Sequence, residues 1–167
     1  MAKRIAFMDP LVLAIAADEK TVTRRLGAAR FTPGDVLDVC EALVRVDAHY
    51  AAWDPRRKLV AYRCDGMQPV RRDADGRVDD IDWTWKVRVL PARYCPAWAV
   101  RHRILVEAVT RETLSCVTDG DARREGIARM GLAPTAEAFL FAFRGIHKLP
   151  PDADPELTRI AFRRVTS

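Results

Sequence analysis

Histidine and lysine are scarce in this chain of 167 residues, which has three histidines (His49, His102 and His147) and only five lysines beside 23 arginines. Its four cysteines, Cys40, Cys64, Cys95 and Cys116, stand 21 to 31 residues apart, with no Cys-x-x-Cys pair and no histidine at a zinc-ligand offset. Buried free thiols are therefore expected, and neither a metal site nor a cofactor. No apolar run approaches the roughly 18 residues that a membrane helix needs, so no membrane span is expected. Behind the initial Met-Ala-Lys-Arg the apolar run is broken by Asp9 and Pro10, and Asp18-Glu19 falls where a signal cleavage region would lie. A cytoplasmic location follows by default. Internal repeats and low-complexity tracts are also missing.

What remains is an ordinary globular composition, 49% hydrophobic and 31% charged with a mean hydropathy of −0.15, in a chain long enough for one core. One domain over residues 1–167 is expected. The net charge of +5 is unevenly spread: Thr84 to Arg111 holds Lys86, Arg88, Arg93, Arg101, Arg103 and Arg111 against Glu107 alone. That local excess equals the charge of the whole chain. A cluster of cations with Trp85, Tyr94 and Trp98 between them is the pattern of a phosphate-binding strip with base-stacking platforms. The plainer explanation is a coding bias toward arginine.

The pattern of elements is mixed. Ile5 to Met8 reads as a short strand, and Asp9-Pro10 opens a helix over Leu11 to Glu19 with Leu11, Val12 and Ile15 inward. Thr21-Val22-Thr23 is β-branched and extended. Phe31-Thr-Pro-Gly-Asp35 is a turn into a strand from Val36 to Val46. Between about 47 and 82, short strands such as Leu59 to Arg63 alternate with Asp-Pro and Asp-Gly turns, which suggests an inserted hairpin and loop region. Trp85 to Val89 alternates as a strand, and Ile104 to Val109 is another. Thr118-Asp-Gly-Asp121 has the form of a capping box, starting a helix that runs through Ala122 to about Arg129 and stops at Gly131. A last helix begins at Thr135 with Phe139, Leu140, Phe143 and Ile146 on its apolar face, and Leu157 to Val165 is a closing strand. Strands with short helices argue an α+β fold, a small β-barrel with flanking helices.

Lys20-Thr-Val-Thr23-Arg24 after a helix, then a Pro-Gly-Asp turn entering a strand, resembles the opening of the ASCH domains, a branch of the PUA-like β-barrel superfamily. Tyr94-Cys-Pro96-Ala-Trp98-Ala-Val-Arg101, a strand, and Asp121-Ala-Arg-Arg-Glu125-Gly126-Ile127 are similar to the second half of the phage-associated and bacterial members. The resemblance implies binding of single-stranded RNA or a modified nucleoside or nucleotide in a basic cleft beside the barrel. That cleft would be lined by Lys20, Thr23, Arg24, Arg25, Tyr94, Trp98, Arg101 and Arg103. Some members are enzymes: one compact branch releases acetate from N4-acetylcytidine with a lysine, a threonine and a glutamate, and another member is a ribonuclease. By motif position Lys20, Thr23 and Glu125 would be that catalytic set. The chain is longer than the compact amidohydrolases, however, and carries a Tyr-Cys-Pro-x-Trp segment that they lack.

The chemistry imposes its own conditions. Amide hydrolysis needs an activated nucleophile, a proton for the departing amine and donors for the oxyanion. Lys20, its ammonium disfavoured by burial near Arg24 and Arg25, would be the base for Thr23, and Glu125 the acid. Each residue also has a plainer reading: Lys20 as a helix C-terminal cation, Thr23 as a β-former, Glu125 as a solvated residue paired with Arg129. Two readings are open for Trp98 and Arg101. They form a stacking and phosphate-clamping pair, or Trp98 packs on the barrel while Arg101 pairs with an acid of the inserted region; the expectation is Trp98 in the core and Arg101 in the cleft. A binding module is expected ahead of a hydrolase.

Overall fold

The computed structural model describes residues 3–28, 30–47, 58–69, 71–72, 78–79 and 81–165. Its elements run β1 (Lys3–Ala6), α1 (Asp9–Ala16), β2 (Val22–Leu26), β3 (Val36–Cys40), β4 (Leu43–Asp47), β5 (Lys58–Tyr62), β6 (Arg71–Arg72), β7 (Val78–Asp79) and β8 (Val89–Leu90). They continue with β9 (His102–Thr113), α2 (Asp119–Arg124), α3 (Ala136–His147) and β10 (Glu156–Val165). Five strands form one sheet in the order β1-β3-β9-β10-β2, three form a second in the order β5-β4-β8, and β6 and β7 pair alone. The α+β class is as expected. The strands lie in these separate sheets, and no closed barrel is present among the described residues.

The chain divides into two compact units. The first is built mainly of Pro10–Asp38 and His102–Ser167, the second of Arg4–Asp9 and Val39–Arg101. In the first, β9 and β10 are the long antiparallel pair, and β10 also pairs antiparallel with β2, Ile160 opposite Thr23. A register shift between Ala161 and Phe162 lets the Phe162 amide donate to Thr21 O (2.9 Å) while its ring is buried. Leu114, Val117, Ala122, Ile127, Phe139, Phe143 and Leu157 form an apolar cluster under the helices. In the second unit, Cys40, Leu43, Val60, Tyr62, Leu90, Cys95 and Ala99 form the core, with Trp83 and Trp85 packed partly against it.

Several expected elements differ, each for a local reason. Helix α1 ends at Ala16 because Asp18 turns left-handed (φ 59°), after which the amides of Glu19 and Lys20 both donate to Ala14 O. The strand expected over Val36 to Val46 is two strands, parted at Glu41-Ala42. Trp85 to Val89 is mostly bend, held by Trp83 Nε1 donating to Val87 O, and only Val89–Leu90 is strand. The capping box is present, Thr118 accepting from the Asp121 amide and Asp121 from the Thr118 amide, but α2 stops at Arg124. Gly126 (φ 73°) then breaks the chain into a short 3-10 turn, Ile127–Met130. On α3, Phe139 and Phe143 are buried as expected, whereas Ile146 is exposed. Of the expected insertion, residues 48–57, 70, 73–77 and 80 lie outside the described residues. Cys40 and Cys95 are buried thiols, but Cys64 is half-buried and Cys116 exposed.

Candidate functional site

Residues far apart in the sequence meet in the first unit because α1 and the α2 terminus approach closely. The Thr21 amide donates to Arg124 O (2.9 Å), and a Cβ at position 126 would stand 2.8 Å from Ala14 Cβ and 3.2 Å from Lys20 Cβ. Only glycine fits there, in a left-handed conformation, and its neighbour Glu125 is thereby carried to Lys20.

Lys20 is fully enclosed, and its Nζ donates to Val22 O (2.7 Å), Glu125 O (2.8 Å) and Glu125 Oε2 (2.7 Å). An ammonium has three protons, and here three acceptors surround it. Burial pushes the Lys20 pKa below the ordinary lysine value; Glu125 opposes this, and Arg25 and Arg24 reinforce it. The other oxygen of Glu125 accepts from Arg24 Nη1 (3.1 Å). Arg24 Nε donates to Glu112 Oε1 (2.5 Å), and its guanidinium lies 5.9 Å from the centre of the Phe139 ring. Its Nη2 is 3.3 Å from Asp121 Oδ1 but is buried without a hydrogen bond. Burial would lower the Arg24 pKa, and Glu112, Glu125 and Asp121 together outweigh it. Burial would likewise raise Asp121; hydrogen bonds from Thr118 and the Arg24 charge hold it at about 2.

The plainer reading of Glu125, a solvated residue paired with Arg129, does not hold, since Arg129 reaches Glu19 instead (2.6 and 2.7 Å). Lys20 is not a solvated helix-end cation either. Thr23 is buried on β2, and Arg25 is half-buried, its pKa pushed down by burial against the field of Glu125. Lys20 and Arg24 are matched by Glu125, Glu112 and Asp121, so this cluster offers little free positive charge.

The remaining expected residues have other partners and exposures. Arg103 is exposed and donates to Asp38 Oδ1 (3.1 Å). In the second unit, Arg101 donates to Glu41 through Nε (2.9 Å) and Nη2 (2.7 Å), and Nη2 also lies 2.8 Å from Asp65 Oδ2. Its Cζ sits 3.9 Å from the Tyr62 ring centre. Burial would lower the Arg101 pKa, but Glu41 and Asp65 raise it above the ordinary arginine value. This is the acid-paired arrangement, and Asp65 does belong to the expected insertion. Trp98, expected in the core, is 46% exposed, and Tyr94 is 59% exposed. Lys86, Arg88 and Arg93 are exposed too, and none of the three forms an ion pair among the described residues.

Glu41, Glu112 and Asp121 escaped the sequence reading as site residues. Glu41 had a signal, a lone acid inside Val39-Cys-Glu-Ala-Leu43, because a charge in an apolar run is kept only with a partner. Glu112 had none, and Asp121 was legible only as a cap. No group of three or more potential metal ligands, and no helix long and apolar enough to cross a membrane, occurs among the described residues.

No protein-family model matches the sequence, and no curated protein matches it. Among solved structures, the chain is similar to the ASCH domain from Lactobacillus crispatus JV V101, with a TM-score of 0.50 and 12% sequence identity over 97% of this chain and 79% of that one. The fold described above is that of an ASCH domain.

Proposed function

We propose that this chain binds single-stranded RNA or a nucleotide. The observation that carries this reading is the segment from Trp83 to Arg101, which contains no acidic residue and exposes Lys86, Arg88 and Arg93 as well as Tyr94 and Trp98. Free cations attract phosphate, and exposed aromatic faces take bases without regard to sequence. The ASCH-like fold agrees with this reading. Of the resemblance-derived residues, Tyr94 and Trp98 are the base contacts. The test is fluorescence anisotropy with a labelled 12-nucleotide RNA strand at several salt concentrations. Binding that weakens linearly in log–log form supports the reading, and no binding at low salt contradicts it.

A second reading is a hydrolase of the N4-acetylcytidine type, favoured by the 2.7 Å contact of Lys20 Nζ with Glu125 Oε2. In it the Thr23 hydroxyl attacks the acetyl carbonyl, Lys20 takes its proton, Glu125 returns a proton to the departing N4, and water releases acetate. It stands second because Lys20 is held by three acceptors as an ammonium, and a base must have a free lone pair. Mass spectrometry of N4-acetylcytidine incubated with the protein decides it. Cytidine formation abolished by Thr23→Val would support catalysis, and an unchanged substrate would exclude this reaction.

A further inference from the structure

Trp83, Trp85 and Trp98 are not scattered. Trp83 is fixed by its Nε1 hydrogen bond to Val87 O (2.9 Å) and meets Trp85 edge-on, with ring centres 4.8 Å apart at 69°. Trp85 in turn lies in an offset stack with Trp98, 6.3 Å apart at 26°. Trp98 therefore has one side backed by an anchored indole and is still 46% exposed. A large rigid π-surface of this kind loses little entropy when a flat partner covers it. Five positions before Trp98, Arg93 places its Cζ 4.9 Å from the Tyr94 ring centre, a cation and an aromatic presented together.

The short 3-10 turn carrying Trp98, Ala97–Ala99, is held at its end rather than by its own side chains. The Tyr62 hydroxyl donates to Ala99 O (2.9 Å), and the Arg101 guanidinium covers the Tyr62 ring while bound to Glu41 and Asp65. Cys64 Sγ, 3.1 Å from Arg101 Nη2, completes the clamp. Two carboxylates on one guanidinium leave no net positive charge for a phosphate.

We infer that the exposed side of Trp98 is a stacking seat for one unpaired nucleobase, and that Arg101 is a positioning residue that holds this seat rather than a phosphate contact. The inference rests on the single-stranded RNA reading and specifies its partner. The ligand is a strand whose bases are free, because bases in a duplex already have both faces covered by their neighbours.

The experiment compares a 12-nucleotide adenosine strand with the same strand paired to its uridine complement, using wild type, Trp98→Ala, Trp98→Phe, Arg101→Met and Arg101→Gln. Wild type should prefer the single strand, and its tryptophan fluorescence should fall on binding. Trp98→Ala should weaken single-strand binding roughly five- to a hundredfold, the range for loss of one base–aromatic stack, with the salt slope unchanged. Trp98→Phe should keep most of the affinity. Arg101→Met should lose affinity with the same salt slope, whereas loss of a phosphate contact would flatten it by about 0.7. If Arg101→Met does not fold, as judged by circular dichroism, Arg101→Gln gives the same slope test. Wild-type affinity in Trp98→Ala, equal affinity for duplex and strand, or a flattened slope in the Arg101 variant would overturn the inference while RNA binding itself stood. No binding of the strand by wild type would instead overturn the functional reading on which it rests.

Discussion

A buried carboxylate serving two cations is the residue-scale feature on which the first unit depends. Glu125 accepts from Lys20 through one oxygen and from Arg24 through the other. Removing one partner of such a pair leaves a charge desolvated with no compensation, so Glu125→Ala should destabilise the fold by about 3–5 kcal/mol. Urea unfolding checks this, and a loss below about 1 kcal/mol would show that the pair is solvated. Asp121 adds a pH dependence with a definite sign. Its folded pKa of about 2 lies below the ordinary 3.8, so its stabilisation is complete above about pH 4 and is lost as pH falls toward 2. Wild type and Asp121→Asn should therefore differ most in urea midpoint above pH 4 and converge toward pH 2. A gap that stays constant over that range would refute the assignment. Little of this network was legible from residue patterns. Lys20 and Glu125 are 105 positions apart, and only the family resemblance placed them together; no local periodicity links two residues across that separation.

At the scale of elements, the sequence was read well where a residue type fixes the backbone and poorly where tertiary contact decides. The Thr118 cap, the Pro-Gly-Asp turn and the closing strand with buried Ile160 and Phe162 follow from local rules. The break between β3 and β4 does not, because Glu41 interrupts the run to meet Arg101, 60 residues later. Likewise, α2 ends early because Gly126 must turn left-handed where α1 passes. Gly126→Ala should thus cost about 2–4 kcal/mol, combining left-handed strain with a Cβ driven into Ala14. Gly131→Ala is the control: it also has positive φ, but nothing lies within 4 Å of its Cβ position, so only the strain of roughly 1–2 kcal/mol remains. Equal losses in thermal or urea unfolding would mean that the close approach at Gly126 is unimportant.

Over the whole molecule, the excess of positive charge matters by where it is left unmatched. Lys20, Arg24, Arg101 and Arg103 all face carboxylates, while Lys86, Arg88 and Arg93 are exposed and form no ion pair among the described residues. Counting charges along the chain identified the window from Thr84 to Arg111 but could not separate these two groups, since pairing is a property of the fold. Architecture shows the same division: strand content was legible, whereas the separation into a five-stranded and a three-stranded sheet depends on pairings between distant strands. The proposed function gives these free cations, with Tyr94 and Trp98 of the same segment, the role of RNA-binding face. Its most direct test is the salt dependence of binding to a 12-nucleotide single strand, measured side by side for wild type and for the triple variant Lys86→Gln, Arg88→Gln, Arg93→Gln. The log–log slope should flatten by about 2 units in the triple variant, near 0.7 per lost contact. An identical slope in both proteins, with wild-type affinity retained, would contradict the claim and put the RNA on another surface.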